Sequence, residues 1–188
     1  MFRHGRQRRM LRRAVQRIPV SGPFVQELNQ ANQLMAAGHY QPAQEIYARL
    51  AQLAESTGHP RQAANLHAQA AQAAAMQPSR EKAIQHARAA LNGFQRQGML
   101  PRMYGFLASF IALLRSQGLE AEANLLHLEF GGQAAPAPEQ PTDQEGARPL
   151  RLPTICPQCG APVRSDEVEW IDSHSAECAF CGGVIAAA

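Results

Sequence analysis

The chain has 188 residues, of which 45% are apolar but only 6% aromatic, with four cysteines and a net charge of +3. That length has room for one ordinary domain and a small module, and an Ala-rich, aromatic-poor composition favours closely approaching helices over a large sandwich core. No run reaches the roughly 20 apolar residues that cross a bilayer; the longest, Met103 to Leu114, is interrupted by Tyr104, Gly105 and Ser109 and reads as a buried core helix.

The positive charge is concentrated at one end. Residues 1–26 carry seven arginines and no acid, whereas the rest of the chain carries 11 basic and 15 acidic groups. Residues 1–22 read as a basic amphipathic segment, with Met10, Leu11, Ala14, Val15 and Ile18 on one helical face and Pro19, Gly22 and Pro23 stopping it. It lacks the continuous apolar stretch and small-residue cleavage site of a secretory signal. Arg6, Arg9, Arg12, Arg13 and Arg17 are candidates for gripping an acidic partner: nucleic acid, an anionic membrane surface or an acidic protein. No aromatics interleave with them to stack on bases.

From residue 23 to 130 the chain keeps a beat. Gly38, Gly58, Pro78, Gly98 and Gly118 fall 20 residues apart, with Ala-rich sequence between them. Gly38, Pro78 and Gly118 are each followed five residues later by a small residue, Ala43, Ala83 and Ala123. The repeating unit is therefore a pair of helices, each burying its apolar face on its neighbours. The expected helices are Phe24–Ala37, Pro42–Ser56, Pro60–Met76, Ser79–Gln97, Pro101–Gln117 and Leu119–Phe130. Pro42 sits well in the first turn of its helix, and Ser79 is a good N-cap. The third pair, with Phe106, Leu107, Phe110, Ile111, Leu113 and Leu114, is the most apolar.

In the first pair, Ala31, Leu34, Gly38, Tyr40, Ala43 and Tyr47 follow the small, large, Gly, aromatic, small, aromatic order of a tetratricopeptide repeat (TPR), which this unit resembles. The next two units keep the small-residue stripe (Ala83, Ala87 and Ala90; Ala123) but lose the aromatics, and the 40-residue unit is longer than the family's usual length of about 34. The resemblance implies a groove for peptide segments or partner helices, with Tyr40 and Tyr47 among the protein-binding residues. His39, His59, His67, His86 and His127 show no i, i+4 metal pair and read as surface or lightly buried. Gln62, Gln69, Gln72 and Gln85 read as solvating faces.

Residues 131–149 are Pro-rich and poor in apolar residues, too long for a connection inside a compact domain. They are expected to form a flexible linker that leaves the C-terminal module free to move. All four cysteines follow in residues 150–188, as Cys156-Pro157-Gln158-Cys159-Gly160 and Cys178-Ala179-Phe180-Cys181-Gly182. Two residues between cysteines let one tight turn present both sulfurs, and the following glycine permits positive φ. With 18 residues between the pairs, Cys156, Cys159, Cys178 and Cys181 are candidate ligands of one tetrahedral metal ion. Paired cysteines of this kind suit a reducing compartment better than a disulfide framework does, and a cytoplasmic location is expected.

Residues 151–188 resemble a zinc ribbon, with strand-like runs at Arg151–Ile155, Ala161–Arg164, Val168–Asp172 and Gly183–Ala187. The resemblance implies one structural zinc; an iron centre of the rubredoxin type, with the same four-thiolate cage, stays open. Four cysteines close the shell, which argues against hydrolysis at the metal. His174 is near enough in sequence to replace a ligand. Trp170, the only Trp, is expected to cover the metal site or to stand out as a protein-binding anchor.

The fold expected is therefore mostly α: a solenoid of antiparallel, TPR-like helix pairs, about six helices, with a small β zinc-ribbon module on a flexible linker. No phosphate loop, nucleophile–base pair or catalytic metal signature appears, so a non-enzymatic protein–protein adaptor is expected, with no small-molecule substrate. A nucleic-acid-associated factor is the alternative, but it rests on the Arg segment alone, since the module has five carboxylates against Arg151 and Arg164. A RING-like accessory in protein modification is a further alternative; RING fingers need eight metal ligands and only four cysteines are present.

Overall fold

In the computed structural model, residues 22–78, 80–131, 151–165, 168–172 and 174–187 are described. The basic segment 1–21, Ser79 and the linker residues 132–150 lie outside them, so the expectations about the arginines and the tether concern residues beyond this description. Six helices run in order: α1 Gly22–Ala36, α2 Tyr40–Ser56, α3 Pro60–Ala75, α4 Arg80–Arg96, α5 Leu100–Ser116 and α6 Glu120–Phe130. Among the described residues, no helix is long and apolar enough to cross a membrane.

The 20-residue beat has a local cause. At four of the five connections the same two-bond turn closes the helix, with Gly38, Gly58, Gly98 and Gly118 at φ of +79°, +79°, +69° and +73°. In each, the residue after the glycine donates its N–H five residues back: His39 to Leu34, His59 to Ala54, Met99 to Phe94 and Leu119 to Leu114. The glycine N–H bonds three residues back, completing a Schellman motif that only a left-handed residue can make. The same His39, His59, Met99 and Leu119 then accept, at their C=O, the N–H of Ala43, Ala63, Met103 and Ala123. One residue thus ends one helix and caps the next, and a connection this short forces antiparallel neighbours. The α3–α4 turn, at Pro78, is built differently, with Gln77 N–H on Ala74 O and Arg80 N–H on Pro78 O.

The small-residue stripes are where the helices close. Ala31, Ala43, Ala83, Ala87, Ala90 and Ala123 are all fully buried. Each helix packs on the next, and α3 also reaches α5 while α4 reaches α6. The centre is α3, buried from Ala63 to Ala75 except at the half-buried Gln69 and Gln72, its alanines letting neighbours approach closely on several sides. Gly93 of α4 lies so close to it that an added Cβ would come 2.7 Å from Ala64 Cβ.

The C-terminal module is a three-stranded antiparallel sheet in the order β1 Glu169–Asp172, β2 Ser175–Glu177, β3 Val184–Ala186. Trp170 pairs with Ala176, and Ala176 with Ile185; the β1–β2 register shifts between Trp170 and Asp172. The expected runs at 151–155 and 161–164 reduce to a single bridge, Ile155 to Pro162, because this stretch is spent on the first cysteine turn. Ser175–Glu177, unforeseen because it is only three residues long and polar at both ends, is the central strand.

The module is not free of the array. Cys156, Cys159, Ala161, Cys178, Phe180, Cys181 and Ile185 belong to one apolar cluster with Phe24, Leu28 and Ala31 of α1, Tyr47 and Leu50 of α2, and Ala63, Leu66 and Ala70 of α3. The expectation of a freely moving module is corrected: its apolar side, too small to make a core alone, is buried in one cluster with helices α1, α2 and α3.

Candidate metal centre

The two cysteine turns are built alike. Cys156 N–H donates to Ala161 O at 2.8 Å and Gly160 N–H to Cys156 O at 2.9 Å. In the second turn, Cys178 N–H donates to Gly183 O at 2.8 Å and Gly182 N–H to Cys178 O at 2.9 Å. Gly160 and Gly182 have φ of +68° and +70°, as the Cys-x-x-Cys-Gly pattern predicts. Each turn aims both of its sulfurs inward.

The four Sγ atoms all lie within 4.8 Å of one another. Cys156 to Cys181 and Cys159 to Cys178 are both 3.8 Å. A tetrahedron with metal–sulfur bonds of about 2.3 Å has edges of roughly 3.8 Å, so the sulfur positions fit a metal ion. All four cysteines are 2% exposed or less. Hydrogen bonds from the Cys159 and Cys181 thiols hold Cys178 well below the usual thiol range, with backbone N–H groups of Cys181 and Phe180 adding to that against the cost of burial. A thiolate is the form that binds metal. Four sulfurs complete the shell, and exposed His174 is outside the cluster.

The array grips the turns by their backbone. Asn32 of α1 donates from Nδ2 to Cys159 O at 2.8 Å, and Tyr47 of α2 donates its hydroxyl to Asn32 Oδ1 at 2.7 Å. Asn65 of α3 donates from Nδ2 to Ala179 O at 2.7 Å, while Arg102 Nε donates to Asn65 Oδ1. Each turn therefore has an asparagine on a carbonyl and a second side chain fixing that asparagine, which settles the orientation of both amides. Asn29 Nδ2 adds a bond to Gln158 O at 3.2 Å. The helices come so near that a Cβ at Gly160 would meet Asn29 Oδ1 at 2.9 Å, and one at Gly182 would meet Gln62 Nε2 at 3.0 Å. The turn glycines thus meet a second demand, close approach to the array.

The other candidate residues are scattered. Tyr47 is 1% exposed; burial raises its pKa, and it lies under the cysteine turns, where it cannot offer itself to another protein. Tyr40 is half-buried at the start of α2. Trp170 does not cover the sulfurs: it is 43% exposed on β1, and the aromatic buried beside them is Phe180. Its ring lies 5.7 Å from the Arg102 guanidinium, which also lies 5.5 Å from Phe94. Arg6, Arg9, Arg12, Arg13 and Arg17 are outside the described residues.

Asn29, Asn32, Asn65, Arg102 and Phe180 had no sequence signal, since single amides among many glutamines look like solvated surface. The histidines also need correcting. His67 is 8% exposed and its ring stacks on half-buried His86, with centroids 5.3 Å apart. His67 Nδ1 and His86 Nδ1 are 3.1 Å apart, His67 Nε2 is 3.2 Å from Glu55 Oε1, and Gln44 Nε2 is 3.2 Å from His86 Nε2. They are 19 residues apart in sequence, and only the antiparallel packing of α3 on α4 joins them.

Comparison with protein-family models, with curated proteins and with solved structures gives no match. The class is therefore described by its own geometry: a six-helix array of adjacent pairs that carries a four-cysteine site on its first three helices.

Proposed function

We propose that the protein is a non-enzymatic adaptor: a TPR-like array to which one structural zinc, in a ribbon-like module, is permanently attached. The observation that carries this reading is the closed, buried shell of four sulfurs whose turns are pinned by Asn32 and Asn65. A metal in that shell has no open position for substrate. Structural zinc in small peptides contributes on the order of 10–16 kcal/mol, enough to organise a module with so little core of its own.

The docked module changes which surface is offered to partners. Part of the array face that a TPR-like groove would present is occupied by the cysteine turns. What remains outward on the module includes Trp170, Ile171 and Val184, all exposed apolar residues, and an exposed Trp is a common anchor of protein interfaces. We assign the partner surface to this outer sheet, the metal to stability, and the cytoplasm as the compartment.

Co-purification from the native host after nuclease treatment tests the reading, comparing the full chain with Trp170→Ala. Retention of defined proteins by the full chain, and their loss with Trp170→Ala, supports the adaptor. Capture that disappears with nuclease and depends on residues 1–22 overturns it in favour of nucleic acid. Elemental analysis of the purified chain should find about one zinc per molecule; iron in its place would overturn the metal assignment.

A further inference from the structure

We propose that the cavity at the seam between the cysteine module and helices α3 and α5 is a binding site for a small organic anion: a carboxylate or phosphate monoester on an aromatic or apolar body. The cavity has a volume of about 270 Å³, just under the range of drug-sized sites, which starts at about 300 Å³. Arg102 from the array and Arg164 from the module both line it, with the amides of Gln69 and Gln72 and the rings of Phe106 and Phe180. Among the described residues, no carboxylate lines it. Two guanidinium groups and two amides lining one cavity together with aromatic rings match an anionic head on an apolar body.

Two further observations separate this cavity from ordinary surface. Arg102 is already set in place: its Nε donates to Asn65 Oδ1, and its guanidinium lies against both Phe94 and Phe180. A side chain ordered in advance loses little freedom when an anion arrives. The second observation is Gly105, in the interior of α5 and on the cavity wall. A Cβ there would meet nothing within 4 Å, so packing does not require glycine, although glycine weakens a helix interior. Its effect on the cavity is to keep that wall open.

A larger cavity, about 650 Å³ between α4 and α6, lacks this character, because Glu81 and Glu122 line it together with Arg80 and Arg88. The cavity beside Arg61 and Glu177 is about 60 Å³, too small for an organic ligand.

The inference does not depend on the adaptor reading. It is tested on the full, metal-loaded chain by calorimetric titration with phenyl phosphate and with benzoate, using benzyl alcohol as the uncharged control. Saturable binding of either anion and none of the alcohol is expected, and which anion binds identifies the head group. Arg164→Gln should weaken binding at least tenfold. Gly105→Leu should fill the cavity and abolish binding while melting no lower than the parent, a combination that a misfolded variant cannot give. Arg88→Gln, remote from the seam, should bind as the parent does. The proposal is overturned if neither anion binds saturably, if the alcohol binds equally well, if Arg164→Gln and Gly105→Leu bind normally, or if Arg88→Gln loses as much as Arg164→Gln.

Discussion

Asn32 of the first helix donates to the backbone carbonyl of Cys159, 127 residues further along the chain, at 2.8 Å. Its other amide atom is held by Tyr47, so this one side chain joins the first helix pair to the first cysteine turn. A buried carbonyl that loses its donor costs about 1–3 kcal/mol. Asn32→Ala should lower unfolding free energy by that amount in urea denaturation, and Tyr47→Phe by less, about 1 kcal/mol, since the ring stays buried. An Asn32→Ala protein as stable as the parent would mean that the contact is not maintained in solution.

Metal removal should be felt by the array as well as by the module. The cysteines share one cluster with Leu28, Tyr47 and Leu66, so chelation or Cys159→Ser should leave most helical circular dichroism at 25 °C but lower the melting midpoint. Three asparagine bonds at about 1 kcal/mol each, and ~2–4 °C per kcal/mol for a chain of this size, give a drop of roughly 6–12 °C. An array that melts at the same temperature with and without metal would show that the module adds nothing to it.

Gly93→Ala sets two effects against each other. Alanine gains up to about 1 kcal/mol of helix propensity, but its Cβ would lie 2.7 Å from Ala64 Cβ between two fully buried helix faces, and overpacking costs about 1–3 kcal/mol. Net destabilisation is expected in a chemical denaturation curve. A gain in stability would show that α3 and α4 can move apart freely.

The stacked histidines should make stability pH-dependent on the acid side. Burial, then the charges of His67 and Lys82, lower the pKa of His86 to about 4. Neutral rings satisfy these contacts with one choice of tautomers, in which Gln44 Nε2 donates to His86 Nε2, His86 Nδ1–H to His67 Nδ1 and His67 Nε2–H to Glu55 Oε1. Between about 6.5 and 4 the unfolded chain binds a proton at this position that the folded chain does not, so stability is full above 6.5 and falls as pH drops through that window. His86→Gln should flatten the fall. An unchanged profile in His86→Gln would remove His86 as its source.

How far the sequence could be read depended on the range of the interactions. The Gly38 to Gly118 beat and the Ala31, Ala43, Ala83 and Ala123 stripe were legible because a Schellman turn needs its glycine locally and a helix crossing needs a small residue at a set position. The four cysteines were legible for the same reason, since a turn of two intervening residues places each pair of sulfurs by itself. Tyr47 was misjudged because an aromatic at a repeat position looks alike whether its partner is another protein or the protein's own C-terminal module. Which of its two readings Trp170 follows was not legible, because that is decided by packing: Trp170 is exposed on β1, and Phe180 of the second cysteine turn is buried beside the sulfurs.

The sequence alone therefore determined the helix pairs, their antiparallel order and the composition of the four-sulfur shell, all consequences of contacts within about 40 residues. Only the tertiary structure decided that the shell sits on α1 and α3, that Asn32 and Asn65 hold its carbonyls, and that His67 stacks on His86. Those outcomes follow from burying the module's small apolar side, a non-directional drive that no local pattern encodes. It brings together polar side chains that nothing in the sequence marks as partners.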